Sequence, residues 1–267
     1  MKIYSHTLQG KRQSNEDQHY HMLNLSGENK MINPINFLSV FDGHGGKQIS
    51  KYLKENLPNY FINKFKSDIY SDQNIASKYF YDTFNKIQND MIKDLPRIVK
   101  SCGSTACVCI QYIDNQNRNI LWVLNVGDSR AVKCNKLLIA EQLSQDHKPN
   151  SPEEKRRIES LGGKIEFDGY DWRIIDLSLS RAFGDLECTP YVTHLPQIYR
   201  YKISSNDKFI ILACDGLWDV VSNQNAVDFI INLQLENDYN NNYAKDLAEY
   251  GLQMGSTDNI SVIILFF

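Results

Sequence analysis

Four aspartates stand where apolar, strand-like runs of this chain end or begin. They are Asp42, Asp128, Asp215 and Asp258. Asp42 and Asp215 each directly follow a run of Phe, Ile, Leu and Val and precede a glycine. A single Asp-Gly pair after a strand is usually only a turn. Because the pattern recurs along the chain, we predict that the strand ends bring several carboxylates together at one rim of a sheet structure.

Clustered carboxylates require positive charge. Two unit charges about 4 Å apart repel by about 4 kcal/mol at an effective dielectric constant of about 20. Oxygen ligands without a Cys or His set at zinc-like spacing favour Mg²⁺ or Mn²⁺. Two such ions can activate a bridging water and neutralise the charge of a phosphate group. The aspartates therefore predict a two-metal site suited to phosphate chemistry.

Two further side chains, Arg12 and His44, could complete such a site. Arg12 lies four and five residues before Glu16 and Asp17, and a guanidinium is well shaped to bind phosphate oxygens. Alternatively, Arg12 has a structural role and forms a surface ion pair with Glu16 or Asp17. His44 follows Asp42-Gly43 among glycines. It is either a structural histidine or a proton donor to a leaving alkoxide.

Composition limits the class of protein. The chain has 267 residues, 42% of them hydrophobic and 23% charged, with a formal net charge of −3. This predicts a globular protein without the overall positive charge that binds nucleic acid or an anionic membrane. The six cysteines include no C-x-x-C pair, and neither a signal peptide nor a membrane span is predicted. We expect reduced thiols, a monomer and a cytoplasmic location, with entry to the nucleus left open.

Strand and helix patterns come in groups and do not alternate strictly. Strands are predicted at 36–41, 105–112, 120–126, 131–134, 137–140, 208–214 and 259–267. Helices are predicted at 47–57, ended by Pro58, at 75–92, from Ser151-Pro152 to Gly162-Gly163, and near 222–235 and 241–253. Asn-rich loops are predicted at 114–119 and 237–242. The order indicates an α+β fold with mostly antiparallel sheets, in one domain over residues 1–267.

Eight sequence blocks occur in the order typical of one enzyme family. They are Arg12 with Asn15-Glu16-Asp17, Asp42-Gly43-His44-Gly45-Gly46, Gly103-Ser104-Thr105-Ala106, Asn125-Val126-Gly127-Asp128-Ser129-Arg130, Asp146-His147-Lys148-Pro149, Leu179-Ser180-Arg181-Ala182-Phe183-Gly184-Asp185, Asp215-Gly216-Leu217-Trp218-Asp219 and Ser256-Thr257-Asp258-Asn259-Ile260. With them the chain resembles the metal-dependent protein phosphatases called PPM or type 2C, from residue 9 to residue 266.

The resemblance implies a fold and a metal centre. The fold is a four-layer α-β-β-α sandwich, in which two antiparallel sheets are flanked by helices and the metals lie at one edge. Two Mg²⁺ or Mn²⁺ ions are implied, with a weaker third site. Asp42 bridges the two ions, Asp215 and Asp258 complete one site, and Glu16 with the Gly43 carbonyl helps to hold the other. The aspartates implied for the third site are Asp128, Asp215 and Asp219.

The resemblance also implies the reaction. The substrates are phosphoserine and phosphothreonine proteins, attacked by a metal-bridged hydroxide without a phosphoenzyme. Arg12 binds the phosphate, Asp17 orients bound water, and His44 is the general acid. Arg173-Ile174-Ile175-Asp176 departs from the family, which commonly has Arg-Val-Asn-Gly there, so substrate preference is open.

Competing classes fit less well. A cysteine phosphatase needs an Arg six residues after its Cys, and none of the six cysteines has one. Asp42-Gly43-His44 lacks the Asp-x-Asp order of an aspartyl-phosphate enzyme. A two-metal nuclease is disfavoured because the sequence suggests no basic groove. The remaining alternative is a catalytically weak phosphatase-like module that binds phosphoproteins or kinases, although the expected metal-site acids and Arg12 are all present.

Overall fold

The computed structural model describes residues 1–25, 35–62, 72–235 and 242–267. Of the predicted loop at 237–242, only Asn242 belongs to these residues. None of the helices in the described ranges is long and apolar enough to cross a membrane.

Two five-stranded antiparallel sheets form the centre of the described structure. Sheet I has the order β1 (Lys2–Leu8), β15 (Ile260–Phe266), β14 (Phe209–Ala213), β8 (Arg130–Cys134) and β9 (Ala140–Gln142). Sheet II has the order β13 (Gln197–Ile203), β7 (Asn119–Val126), β6 (Ala106–Ile113), β3 (Ile35–Phe41) and β2 (Gln18–Met22). Because neighbouring strands run in opposite directions, the end of one strand and the start of the next meet at the same edge.

The two sheets pack face to face. In β3, Leu38 and Val40 belong to the core between the sheets, whereas Phe37 and Phe41 belong to the core beneath helices. This alternation is expected, because successive side chains of a strand point to opposite faces. Both faces of β3 are therefore buried, which explains its nearly continuous apolar sequence.

Helices cover the outer face of each sheet. Helices α1 (Gln48–Ile62) and α2 (Gln73–Asp94) lie on sheet II, where the rings of Phe80 and Trp122 meet edge to face at 5.3 Å. Helices α5 (Asn223–Leu235) and α6 (Tyr243–Gln253) lie on sheet I. The short helices α3 (Pro152–Ser160) and α4 (Asp215–Trp218) lie outside these two pairs. The predicted α+β fold, a four-layer α-β-β-α sandwich, is confirmed.

Some predicted boundaries are wrong. Helix α1 continues through Pro58 to Ile62, because Leu57, Pro58 and Phe61 are all buried and extend the face that packs on sheet II. The predicted strand at 137–140 is mostly a turn before β9. In that turn Leu138 has a φ of 63° and Leu137 is 67% exposed. Strands β1, β2 and β13 were not predicted, because their half-buried residues mix Lys, His, Tyr and Gln with few aliphatic side chains.

Two small β-structures adjoin the sandwich. A three-stranded sheet joins β12 (Phe183–Gly184), β5 (Gly103–Ser104) and β4 (Gly43–His44), in that order. A hairpin pairs β10 (Glu166–Phe167) with β11 (Trp172–Arg173). The three-stranded sheet brings distant parts of the chain against His44. The hairpin lies beside the edge of the sandwich that carries Asp42 and Asp215.

Helix α2 begins with a side-chain cap that can be tested. Asp72 accepts hydrogen bonds from the backbone N–H groups of Asn74 at 2.8 Å and Ile75 at 3.0 Å. We expect Asp72→Ala to lower the free energy of unfolding by about 1 kcal/mol, because it leaves these donors without the cap. Urea denaturation measures the change. Asp82→Asn, an exposed change in the same helix, is the control and should stay within about 0.5 kcal/mol of wild type. An Asp72→Ala midpoint equal to that of the control would contradict the prediction.

Candidate active site

A cavity of about 490 Å³ opens at the edge of the sandwich where β3, β7 and β14 end and β15 begins. Its wall includes most of the residues predicted for the site: Arg12, Glu16, Asp42, Gly43, His44, Asp128, Asp215 and Asp258. Asp17 and Asp219 are predicted site residues that do not line it. Asp17 is buried behind the wall, and Asp219 is an exposed residue one turn after Asp215.

Close backbone contacts fix the positions of Asp215 and Asp258. Strands β14 and β15 pair directly, with Ala213 opposite Val262. A Cβ on Gly216 would lie 2.0 Å from the Asn259 carbonyl oxygen, and a Cβ on Gly10 would lie 2.0 Å from the Asp258 carbonyl oxygen. Only glycine permits such an approach. The Gly after Asp215 is therefore required by packing against the segment that carries Asp258.

Glu16 is held by several partners. Its backbone N–H donates to Asn259 Oδ1 at 2.9 Å, and its Oε2 accepts from the N–H of Gly46 at 2.9 Å. The Ser50 hydroxyl donates to the Glu16 carbonyl oxygen. A Cβ on Gly43 would lie 2.4 Å from that oxygen. The loop before β2 is thereby fixed against the Asp42-Gly43 turn, which places Glu16 beside Asp42.

The carboxylates at this edge raise one another's pKa. Burial, followed by the charges of Asp17, Asp215 and Asp128, raises the pKa of Asp42 well above its usual range. Burial and the charge of Asp128 raise the pKa of Asp215 to about 8, although Lys148 opposes the shift. Burial raises the pKa of Asp17 to about 6. Deprotonating all three groups without a cation is therefore costly.

The residues present fit a hard divalent cation. Ligand atoms of Asp17, Asp42 and Cys214 lie within 4.8 Å of one another. Asp17 Oδ2 is buried and has no hydrogen-bond partner among the described residues. Burial raises the pKa of the Cys214 thiol well above its usual value, so the sulfur stays protonated and is a poor ligand. The usable donors are carboxylate oxygens, which suit Mg²⁺ or Mn²⁺.

Arg12 makes an ion pair that its sequence neighbours did not suggest. Its Nη2 lies 2.5 Å from Asp258 Oδ2, and the side chain is 60% exposed. The sequence offers Glu16 and Asp17 as the nearest partners for a surface ion pair. The observed partner is instead 246 residues away. The guanidinium stands over the cavity, where it can meet an incoming anion.

Lys148 is a site residue for which sequence reasoning assigned no role. Its Nζ lies 2.5 Å from Asp128 Oδ2 and 3.7 Å from Asp215 Oδ2. Burial disfavours the ammonium, but the charges of Asp128 and Asp215 outweigh this effect and raise its pKa. The only sequence signal was its position in the Asp146-His147-Lys148-Pro149 block. Lys148 is a built-in cation between two of the aspartates implied for a third metal site.

His44 also has a partner that was not predicted. Its Nε2 lies 2.6 Å from Oδ2 of Asp185, which is 3% exposed. Burial alone would lower the pKa of His44, but the hydrogen bond and charge of Asp185 outweigh it, so the pKa is raised. Both residues belong to blocks noted in the sequence, yet nothing local in either block pairs them.

Comparison with known proteins identifies the family of this site. A model of the family described as Protein phosphatase 2C matches residues 1–260. This chain belongs to the protein phosphatase 2C family. It resembles a probable protein phosphatase 2C of Arabidopsis thaliana, with 38% identity over 97% of this chain and 77% of that protein. It also resembles the human integrin-linked kinase-associated serine/threonine phosphatase 2C, with 32% identity over 99% of this chain and 72% of that protein.

Solved structures share the fold of this phosphatase. The serine-threonine phosphatase 2C from Toxoplasma gondii superposes with a TM-score of 0.84 and 24% identity, covering 99% of this chain and 94% of that one. Family membership makes the protein a metal-dependent serine/threonine protein phosphatase that acts on phosphoproteins. Nothing in the comparisons favours a catalytically weak binding module.

The segment that departs from the family pattern lies in the wall of the phosphatase cleft. Arg173 and Asp176 both line the cavity. Arg173 is ion-paired with Asp168, and its Nη1 donates to the Asp176 carbonyl oxygen at 2.8 Å. Ile175 has a φ of 57°, a conformation that Asn or Gly adopts more easily than a β-branched residue. The altered segment therefore forms a tight turn at the rim of the cleft, and Ile175 is a residue type that disfavours this conformation.

Proposed function

We propose that this phosphatase hydrolyses phosphoserine and phosphothreonine with two divalent cations held at the acidic edge of its sandwich. The observation that carries the proposal is that five acidic side chains line one cavity, those of Glu16, Asp42, Asp128, Asp215 and Asp258. Asp42 would bridge both ions. The other ligands would be Asp215 and Asp258 for one ion, and Glu16 and the Gly43 carbonyl for the other. When bound, the ions would lower the pKa of a water molecule and neutralise phosphate charge.

Arg12 and His44 have complementary roles in the proposal. Arg12 binds the phosphate oxygens, exchanging part of its contact with Asp258 for the substrate. His44, on the cavity wall, donates a proton to the serine or threonine oxygen as the bond from that oxygen to phosphorus breaks. Asp17, buried next to Asp42, orients water through its Oδ2, which has no hydrogen-bond partner in the described ranges of the chain. We further propose that residues 1–267 form one catalytic domain.

We also propose a cytoplasmic monomer that binds neither nucleic acid nor membranes. All six cysteines are buried free thiols, a composition typical of a reducing compartment. The formal net charge of −3 gives no attraction to nucleic acid or to an anionic membrane. Light scattering after size-exclusion chromatography would test whether the protein is a monomer. A monomer has the chain mass of 30.9 kDa, and a dimer has twice that mass.

Lys148 leads to a prediction about a third ion. Its ammonium already neutralises Asp128 and Asp215, so a third cation must displace it. We expect Lys148→Met to bind an additional Mn²⁺ at least about 10-fold more tightly than wild type, equivalent to about 1.4 kcal/mol. Isothermal titration calorimetry measures the change. Lys155→Met, an exposed change on α3, is the matched control. If Lys148→Met binds the third Mn²⁺ ion with the same affinity as wild type, Lys148 does not compete with that ion.

Turnover on defined peptides tests the proposed function. Purified protein should release phosphate from phosphoserine and phosphothreonine peptides with Mn²⁺ or Mg²⁺, and should stop when a chelator is added. A phosphotyrosine peptide of the same sequence is the comparison substrate, and we expect slower turnover on it. No phosphate release by folded protein from several phosphothreonine peptides at millimolar metal would overturn the proposal.

A further inference from the structure

The contact between His44 and Asp185 is built by the small three-stranded sheet. Its central strand, β5, pairs with β4 on one side and β12 on the other, so that Gly103 lies opposite both His44 and Gly184. The side chains of His44 and Asp185 meet above Gly103, with Nε2 and Oδ2 2.6 Å apart. Residues from three distant parts of the chain are therefore required for one hydrogen bond.

Gly103 leaves the space in which the two side chains meet. A Cβ at this position would lie 2.1 Å from Asp185 Oδ2 and 2.4 Å from His44 Nε2. Both distances are far below van der Waals contact, so even alanine would push the imidazole and the carboxylate apart. The contact between His44 and Asp185 therefore requires glycine at residue 103.

The backbone that carries Asp185 is held in an unfavourable conformation. Asp185 has a φ of 47°, and Gly184 before it has a φ of 82°. The Gly184 N–H donates to Oε1 of the buried Gln88 at 3.1 Å, and the Asp185 N–H donates to the Cys102 carbonyl oxygen at 3.3 Å. Strained backbone and a buried carboxylate both cost stability. Their combination beside a candidate catalytic histidine indicates a functional role.

We propose that Asp185 is a positioning residue for His44. Its carboxylate accepts the Nε2–H hydrogen bond, fixes the ring orientation and directs Nδ1 towards the cleft. No hydrogen bond joins Nδ1 to the described part of the chain, so this atom is available to the substrate. The inference rests on the proposed role of His44 as general acid.

In this arrangement His44 supplies the proton that the leaving oxygen needs. A water oxygen forms the new bond to phosphorus, and the bond from phosphorus to the serine or threonine oxygen breaks. The leaving oxygen keeps the bonding electron pair and takes the proton from His44 Nδ1. The imidazole is left neutral, with its Nε2–H still bound to Asp185. A proton from the attacking water restores the imidazolium, directly or through solvent, and the products are inorganic phosphate and the free hydroxyl side chain.

Substrates with different leaving groups test this role. An alkoxide needs a proton as it leaves, whereas the nitrophenolate of p-nitrophenyl phosphate does not. We expect Asp185→Asn to lower kcat on a phosphothreonine peptide by roughly 10- to 100-fold and kcat on p-nitrophenyl phosphate by less than about 3-fold. His44→Ala should show the same selectivity, and the double variant should be no slower than His44→Ala, because the two residues act as a unit.

Controls separate a positioning role from a structural one. Asp82→Asn, exposed on α2, should behave as wild type on both substrates, and the Mn²⁺ affinity of Asp185→Asn should be unchanged. Equal losses on both substrates, or a wild-type rate on the peptide, would overturn the inference while leaving a selective His44→Ala effect intact. If His44→Ala itself lacks selectivity, the proposed general acid fails together with the inference.

A measurement on the wild-type protein avoids the risk that Asp185→Asn does not fold. Nitrogen-15 histidine NMR, with His44 assigned by the His44→Ala spectrum, reports which ring nitrogen carries the proton when the imidazole is neutral. The contact with Asp185 requires the Nε2–H tautomer. A ring protonated at Nδ1 would contradict the inference.

Discussion

Replacing Asp42 with asparagine should lower kcat on a phosphothreonine peptide by at least roughly 100-fold, about 2.7 kcal/mol of barrier. Asp42 lies at the end of β3 amid the charges of Asp17, Asp128 and Asp215, where the proposal has it bridge two cations. An amide carries no charge and cannot serve both ions equally well. Steady-state phosphate release at saturating Mn²⁺ measures the loss, and circular dichroism checks that the variant is folded.

The same substitution should stabilise the metal-free protein. An amide relieves the repulsion that raises the carboxylate pKa values, so the chelated Asp42→Asn protein should melt at a higher temperature than chelated wild type. Asp82→Asn is the matched control and should change neither rate nor melting temperature. A folded Asp42→Asn enzyme with more than a tenth of wild-type activity would contradict the assignment of Asp42.

The second large effect is the pH dependence of stability in the metal-free protein. The pKa of Asp215 is about 8 in the folded chain, and the reference value of an aspartate is about 3.9. Between these values the folded state binds a proton that the unfolded state does not, so stability falls as pH rises. We expect metal-free protein to lose at least about 1 kcal/mol of unfolding free energy from pH 7 to pH 8, because each proton contributes about 1.36 kcal/mol per pH unit.

The pH window is chosen to exclude an opposing effect. Burial lowers the pKa of His19, His147 and His194 to about 4. Below pH 7 the unfolded histidines bind protons that the folded ones do not, so stability there rises with pH. Urea denaturation in chelator at pH 7 and pH 8 measures the predicted fall. Saturating Mn²⁺ or the Asp215→Asn substitution should reduce this loss of unfolding free energy. If chelated Asp215→Asn loses as much as chelated wild type, the explanation is contradicted.

The positions of the acids were predictable because their signal is local. Asp42 and Asp215 each follow a run of apolar residues that must be a buried strand, and chain direction places such residues at a strand end. The two sheets then bring these ends to one edge, where the structure has the cavity. Whether each acid binds metal remains a prediction that the proposed variants test.

Contacts between distant blocks were not predictable in the same way. Asp185 meets His44 only because a small sheet joins three segments, and Lys148 reaches Asp128 from a loop with no periodic pattern. Arg12 likewise pairs with Asp258 and not with the acids beside it in sequence. Strand β13 escaped prediction because a half-buried strand of mixed polarity lacks a clear alternation.

Counting bound ions while following turnover tests the central claim most directly. Mn²⁺ would be titrated into chelator-treated wild type and Asp42→Asn, with phosphate release from a phosphothreonine peptide measured at each step. We predict that two ions bind tightly to wild type, that activity follows the second, and that Asp42→Asn binds at most one of these two and stays inactive. Turnover by ion-free wild type, or an Asp42→Asn protein that binds two ions and turns over normally, would contradict the two-cation site.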